Sequence, residues 1–433
     1  MRVALINPPH PYLVNPNMQA ALGLAYLSAM VKKYKPDVHI EILNQSHLSI
    51  EDAINQIGEY DVYGYTATCT DHFIVHAVAK GVRERFPKAY QILGGPHATL
   101  SWDHIDMQVF NSVFRGEAEF TLLDFLDDLD EGATPDSVYV GKRIGDLDSL
   151  PFPDRAALGR VHGGQIFITE NSPSTVIMGS RGCPYKCAFC ASEGLWSRRV
   201  RWRSINSLVA EIKHTIETLG IKVYRFSDDN MTSRQERLYE FCEKIIPLNI
   251  EWRLSARVDS FTSKLLNIMR ESGCREVNLG VESFDQNVLT SMHKEVTPQQ
   301  SVDCIRTVKA HGIIPRILFM ISTPGETYKH TVEENIHWIE KVKNDFASFS
   351  LKTLVPLPGT PLWDNPKAYD IEVVDRSFKH FNFYMYERGP NGEPIETEVY
   401  SNIRIKGMTE EQQIENIKEM REYVAALPQN NKG

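Results

Sequence analysis

Along nearly the whole chain, short apolar strands alternate with amphipathic helices. No other feature constrains the fold as strongly, because strands separated by helices pair in parallel and have both sheet faces covered. The first run reads strand "RVALINPP", helix "ALGLAYLSAMVKKY", strand "VHIEILN", helix "IEDAINQI", strand "DVYGYTA", helix "FIVHAVAKGVRERF", strand "AYQILGG", strand "SVFRG" and helix "EFTLLDFLDDL". Its five strands predict a doubly wound parallel sheet over residues 1–145, with ligands bound beyond the strand C-termini. A second run starts near Ser174, with strands "STVIM", "VYRFS", "EWRLSA", "EVNLG", "RILFMI" and "SFSLKTL" separated by helices. Six strand–helix units predict a partial (β/α)6 barrel over residues 174–362, its working loops again at strand C-termini. Residues 146–173 are rich in Gly, Pro and Asp, lack periodicity and read as a linker. Residues 363–433 read as a short, mostly helical C-terminal region, with Thr409 and Gln412 fitting a capping box for its last helix.

Composition narrows the function class. Of the 433 residues, 42% are hydrophobic and 24% charged, an ordinary globular balance. A net charge of −9 argues against nucleic acid or a membrane surface as a partner, since both need a basic face. The longest apolar stretch, Ala20–Val31, is too short to span a bilayer and reads as a buried helix. "MRVALINPP" already begins a strand, so no signal peptide is expected. Seven cysteines without a disulfide spacing framework point to a reducing cytoplasm.

Three of those cysteines fall within eight positions of "RGCPYKCAFC": Cys183, Cys187 and Cys190. A structural zinc site would take four ligands, commonly from two separated pairs, and no second pair with that spacing occurs. Thiolates also suit iron–sulfur clusters, and a cubane held by three cysteines keeps one iron open. The loop resembles the cluster loop of the radical S-adenosylmethionine (SAM) superfamily, whose C-x-x-x-C-x-Φ-C pattern matches Cys183, Cys187, Phe189 and Cys190. "FSDDN" sits where that family's methionine-binding loop lies, with Ser227-Asp228-Asp229 in place of Gly-Gly-Glu. "SAR" (Ser255–Arg257), "GVES" (Gly280–Ser283) and "FMISTPGET" resemble the motifs at the next three strand ends.

The resemblance implies a [4Fe–4S] cluster on the three cysteines and SAM on its open iron. It implies SAM contacts from Phe189, Ser227, Asp228, Asp229, Ser255, Arg257, Glu282 and Ser283. Arg257 would fork onto a carboxylate, Ser255 and Glu282 would meet ribose hydroxyls, and Phe189 would pack on adenine. Blander readings of the same residues are core filling for Phe189, an ion pair for Arg257 and helix N-caps for Asp228 and Asp229.

The N-terminal half resembles the cobalamin-binding domain that precedes many radical SAM domains, through "INPP", "LGLAYLSAMV", "GGPHAT", "GEAEFTLLDFL" and "DLDSLPFPDR". The first domain is thus expected to be a Rossmann-like sheet of the B12-binding type. The cobalamin contacts implied are Asn7, Pro8, Thr66, Thr68, Gly94, Gly95, His97 and Glu117. The D-x-H-x-x-G cobalt-ligand motif is absent, because Ile42 stands at the glycine position after Asp37 and His39. His72 and His76 have the spacing of one helix face.

Together the resemblances imply an enzyme that cleaves SAM reductively to a 5′-deoxyadenosyl radical and C-methylates an unactivated carbon through cobalamin. Two alternatives stay open: a radical cyclisation, rearrangement or oxidation enzyme with a non-methyl-transferring or vestigial B12 domain, and a non-catalytic corrin or iron–sulfur sensor. The expected partners are a small-molecule or peptide substrate and a reductant such as flavodoxin or ferredoxin. No side chain is assigned as a catalytic residue. "WSRRVRWRS" (Trp196–Ser204) interleaves arginine with tryptophan, a pattern that suits either nucleic acid or an anionic cluster or substrate. Cys242, Cys274 and Cys304 read as small buried hydrophobes, as does Cys69.

Overall fold

The computed structural model describes residues 1–10, 21–158, 173–378, 386–388, 394–396 and 399–428. It forms two compact units, Met1–Gly164 and Gln165–Gly433.

The first unit holds one sheet of six parallel strands: β1 (Arg2–Asn7), β2 (His39–Asn44), β3 (Val62–Thr66), β4 (Tyr90–Gly94), β5 (Ser112–Gly116) and β6 (Val138–Gly141). Their order is β2-β1-β3-β4-β5-β6, which places the topological switch between β1 and β3. The sixth strand is an addition to the five read from sequence. "VYVG" is too short for periodicity to show. Alternation along β1 builds two cores. Val3 and Leu5 pack on the α1 (Leu22–Tyr34) and α5 (Thr121–Asp130) side with Ile40, Ile92 and Phe114. Ala4 and Ile6 pack on the α2 (Ile50–Gln56) and α3 (His72–Arg85) side with Tyr63, Val78 and Leu93. This is the doubly wound arrangement expected from covered parallel strands. A short helix, α4 (Gly95–Leu100), follows β4 directly, with Pro96 in its first turn.

The second unit holds a parallel sheet in strict chain order: β7 (Ser174–Ile177), β10 (Val223–Phe226), β11 (Glu251–Arg257), β12 (Cys274–Glu282), β13 (Ile314–Ile321) and β14 (Ser348–Thr353). Two short strands, β8 (Ser180–Arg181) and β9 (Arg201–Trp202), pair antiparallel and bracket the cysteine loop and its helix α6 (Ser192–Trp196). The two outer strands, β7 and β14, do not pair with each other, so the barrel is partial.

Its crossover helices are α7 (Ile205–Leu219), α8 (Gln235–Ile245), α9 (Ser263–Glu271), α10 (Gln286–Ser291), α11 (Pro298–Ala310) and α12 (His330–Val342). Their starts are written locally: Ser204 caps α7, Thr262 caps α9, and Thr297 with Gln300 forms a capping box on α11. Tyr224, Trp252, Leu254, Val277, Leu279, Ile317 and Phe319 build one continuous core against these helices. The alternate residues Arg253, Ser255, Arg257, Glu276, Asn278 and Arg316 therefore point to the opposite, concave face.

The C-terminal region adds α13 (Pro361–Asp364), the antiparallel pair β15 (Ile371–Val373) with β18 (Ile403–Ile405), the pair β16 (Tyr386–Arg388) with β17 (Pro394–Glu396), and α14 (Glu410–Ala425). The capping box of Thr409 and Gln412 starts α14. Ile417 and Met420 bury into the barrel core, so this helix completes the outer layer. Among the described residues, no helix is long and apolar enough to cross a membrane.

Candidate functional site

The cysteine loop leaves the end of β7 and is clamped by two consecutive carboxylates at the end of β10. Asp228 accepts from the Gly179 N–H at 2.9 Å and from the Ser180 hydroxyl at 2.5 Å. Asp229 accepts from the Ser192 hydroxyl at 2.7 Å, on the far side of the cysteines. Burial raises both carboxyls, Asp228 to about 6. Both side chains are thus engaged by the loop itself. Ser227 is exposed, and its N–H bonds the Ile177 carbonyl, continuing the β7–β10 pairing. Gly182, at φ +104°, passes close to the segment between α6 and β9, where a Cβ would stand 2.8 Å from the Ser197 carbonyl oxygen.

Farther along the loop, the Ala188 N–H bonds the Met292 carbonyl at 2.9 Å, and the Leu362 N–H reaches the Ala188 carbonyl at 3.4 Å. Ala188 packs with Leu354, Leu362, Ile371, Ile403 and Ile405, and Phe189 lies against the same cluster.

The three thiols lie within electrostatic range. Charge on Cys187 raises Cys183, and charge on Cys187 and Cys183 raises Cys190, although in both cases burial is the larger cause. Cys190 is exposed by area, yet the protein around its thiol pushes it up to about 12. Coordination deprotonates such a thiol outright. Among the described residues, no three His, Cys, Asp or Glu side chains gather as a single metal ion would require. The donor set, three cysteines on one glycine-turned loop with a cation beside it, fits an iron–sulfur cluster.

That cation is Arg257, at the end of β11. Its Nη1 lies 3.6 Å from Cys187 Sγ. Its Nε and Nη2 fork onto Asp259 at 3.0 and 2.9 Å, and Nη2 also donates to the Lys294 carbonyl at 2.6 Å. The guanidinium lies over the Tyr185 ring, 3.9 Å from its centroid. Lys294 in turn donates from Nζ to Glu282 Oε1 at 3.2 Å, both residues being buried. Glu282 sits after a bulge in β12 with φ +67°, a left-handed backbone uncommon outside glycine. Ser255 accepts from Asn278 Nδ2 at 3.4 Å on the same concave face.

Cys187, Arg257, Lys294 and Glu282 therefore form one chain of contacts. Ser283 lies outside it: its hydroxyl bonds Asn335 and caps the Asp285 N–H within a buried network. Tyr185, Asp259 and Lys294 were not singled out by the sequence reading. Asp259 alone carries a sequence signal, because it stands two residues beyond Arg257 along the strand direction.

The arginine–tryptophan stretch is divided: Arg198 and Arg199 are exposed, Arg198 pairing with Glu193 at 2.7 Å, while Arg203 and the tryptophans are engaged within the protein. Arg203 pairs with fully buried Glu211, Arg237 covers the Trp202 ring and Arg181 covers Trp196. Cys242, Cys274 and Cys304 are buried, with thiols raised by desolvation.

The first unit gathers its candidates at neighbouring strand ends. The Ala67 N–H bonds the Gly94 carbonyl at 3.2 Å and the His97 N–H bonds the Ala67 carbonyl at 2.9 Å, stitching the β3 and β4 ends together. Gly95 has φ +89°, and a Cβ there would stand 2.5 Å from Thr66 Oγ1. The Thr68 N–H bonds Asp71 at 2.6 Å, and its hydroxyl meets that of Thr70 at 2.8 Å. Buried His97 contacts Cys69 Sγ through Nδ1 at 3.4 Å and stacks on His72 at 4.5 Å between ring centroids. Burial lowers His97 to about 3 and His10 to about 4, so both are neutral at pH 7. His72, read from sequence as part of a helix face, thus joins this site. Asn7 bonds Asn44 at 2.9 Å at the end of β1, and Pro8 follows it, buried. Glu117 is buried and accepts from the Ile144 N–H at 3.0 Å. Close backbone approach, small residues and neutral imidazoles at the β3 and β4 ends, next to the switch point, fit a large ligand.

Residues 177–339 match the family profile "Radical SAM superfamily", and residues 17–126 match "B12 binding domain". An uncharacterized methyltransferase of Pyrococcus horikoshii is 30% identical over 84% of this chain and 83% of its own length. The chain belongs to the B12-binding radical SAM family. Members of the radical SAM superfamily use a [4Fe–4S] cluster and SAM, and require a reductant and a substrate. The anaerobic magnesium-protoporphyrin IX monomethyl ester cyclase of Rubrivivax gelatinosus is 27% identical over 75% of this chain, which spans 61% of the cyclase's length. The radical SAM methyltransferase TsrM of Kitasatospora setae, solved with cobalamin and a [4Fe–4S] cluster, shares the fold at TM-score 0.66 and 16% identity, covering 86% of this chain and 80% of its own.

Proposed function

We propose that this enzyme methylates an unactivated carbon, using the Cys183–Cys187–Cys190 loop for the cluster and the β3–β4 strand ends for cobalamin. The observation that carries the reading is the contact chain from the cysteine loop through Arg257 and Lys294 to Glu282, which ties the cluster loop to the strand ends where SAM motifs were read. When bound, the cluster, SAM and cobalamin supply the electron, the radical precursor and the methyl carrier.

The chain's own residues supply position. Asp228 and Asp229 hold the cysteine loop at both ends, and the Met292 carbonyl holds its middle. Glu282 and Ser255, on the concave face, stand as acceptors for ribose hydroxyls. Phe189 borders the apolar cluster around Ala188 and offers a face to adenine. In the first unit, Thr66, Gly94, Gly95 and His97 line the crevice, with Asn7 and Pro8 at its β1 side.

The name of the Pyrococcus horikoshii relative supports methyl transfer, whereas the cyclase relative favours a second reading, radical ring formation. Anaerobic incubation of the reconstituted protein with SAM and dithionite separates them. Production of 5′-deoxyadenosine together with protein-bound corrin that takes a methyl group from SAM supports methylation, and bound corrin that stays unmethylated favours the cyclase-like reading. Production without bound corrin leaves the cyclase-like reading, and no 5′-deoxyadenosine removes both.

A further inference from the structure

We infer that Arg257 is a positioning residue that tunes the reduction potential of the cluster through Cys187, instead of gripping the carboxylate of SAM. This rests on the reading of the three cysteines as cluster ligands. A guanidinium has five N–H donors in a fixed fork. Here the Nε–H bonds Asp259 at 3.0 Å, and Nη2 bonds Asp259 at 2.9 Å and the Lys294 carbonyl at 2.6 Å. One Nη1 donor points to Cys187 Sγ at 3.6 Å. A single N–H is left, which cannot form the two parallel bonds of an arginine–carboxylate fork. The Tyr185 face at 3.9 Å fixes the plane of the group, and the side chain is almost wholly buried. The alternative role would require breaking the Asp259 pair.

An electron entering a cluster adds negative charge to its sulfurs. A donor already aimed at one of them stabilises the reduced form more than the oxidised form, which raises the potential. Asp259 offsets much of the guanidinium charge, so the directional N–H···S contact carries the effect. Burial of Arg257 keeps that contact from being screened.

The test is an EPR-monitored redox titration of the anaerobically reconstituted full chain, without SAM and then with it. Arg257→Gln is expected to shift the midpoint to more negative potential already without SAM, at unchanged iron and sulfide content. Arg257→Lys keeps the charge but cannot serve both Asp259 and the sulfur, so a smaller shift of the same sign is expected. An unchanged midpoint in a fully loaded variant overturns the inference. So does a shift that appears only with SAM, because the arginine would then act on the substrate. If Arg257→Gln takes up no cluster, the lysine variant decides by the same criterion. Failure of the unaltered protein to take up a cluster on its three cysteines would instead break the functional reading beneath this one.

Discussion

The two units carry candidate sites at the same place in the fold, beyond the C-terminal ends of parallel strands, yet hold them by different physics. In the second unit, ions do the holding: Asp228 and Asp229 on the cysteine loop, Arg257 on Asp259, Lys294 on Glu282, Arg203 on Glu211. In the first, backbone hydrogen bonds between β3 and β4, a glycine with no room for a Cβ, and imidazoles kept neutral by burial do it. The difference matches what each would bind. A cluster of thiolates is a dense local charge that must be fixed and compensated. A corrin is large and rimmed with neutral amides, so it calls for close backbone approach and hydrogen bonds more than for compensating charge.

The comparison breaks most visibly at the cysteines. Cys187→Ala is expected to abolish the cluster absorbance and all 5′-deoxyadenosine, while corrin binding by the first unit persists; joint loss of both would mean the sites are not separable. Next in size is Glu211→Ala, which strands the Arg203 cation in the interior. Removing one partner of such a pair costs about 3–5 kcal/mol, and the fall in denaturation midpoint should be confined to the second unit.

In the first unit, Gly95→Val forces a branched side chain onto Thr66 at positive φ, at a cost of about 1–3 kcal/mol. Corrin uptake should drop sharply by absorbance with iron content unaffected. Unaltered uptake would mean that shape at this turn is not what selects the ligand.

A further expected effect is one of pH. Glu326, which accepts from the Thr323 N–H and hydroxyl at 2.8 Å, has its carboxyl raised by burial to about 8 from 4.5. Above pH 4.5 the unfolded chain releases this proton while the folded chain keeps it, so stability should decline as pH rises to about 8 and level off beyond. Glu326→Gln should flatten that decline in urea midpoints measured between pH 5 and 9, and an unchanged slope would assign it to other groups.

How much of this could be read from sequence differs by unit, for the same physical reason. The cysteine spacing, the strand–helix alternation and the capping box at Thr409 are local patterns, and local patterns survive in a linear string. The barrel's six strands were legible because each is an apolar run closed by a helix, whereas β6 is four residues long and shows no period. Asp228 and Asp229 were legible as important but not as loop clamps, because their partners Gly179, Ser180 and Ser192 are distant along the chain. Lys294 and Tyr185 gave no signal, since nothing local marks a side chain that will meet Arg257. His72 looked like half of a helix stripe with His76; its stacking on His97 is a product of the fold.

The anchoring of Ala188 among Leu362, Ile403 and Ile405 bears on how the protein is made. A ribosome delivers the thiols of the cysteine loop long before it delivers the residues that fix the loop's middle. Until β18 and its neighbours emerge, the loop has its contacts with Asp228, Asp229 and Met292 but lacks the apolar packing of Ala188 against Ile403 and Ile405. A chain cut short before residue 403 therefore lacks part of the loop's apolar backing, and its thiols should react faster with an alkylating probe than those of the full chain.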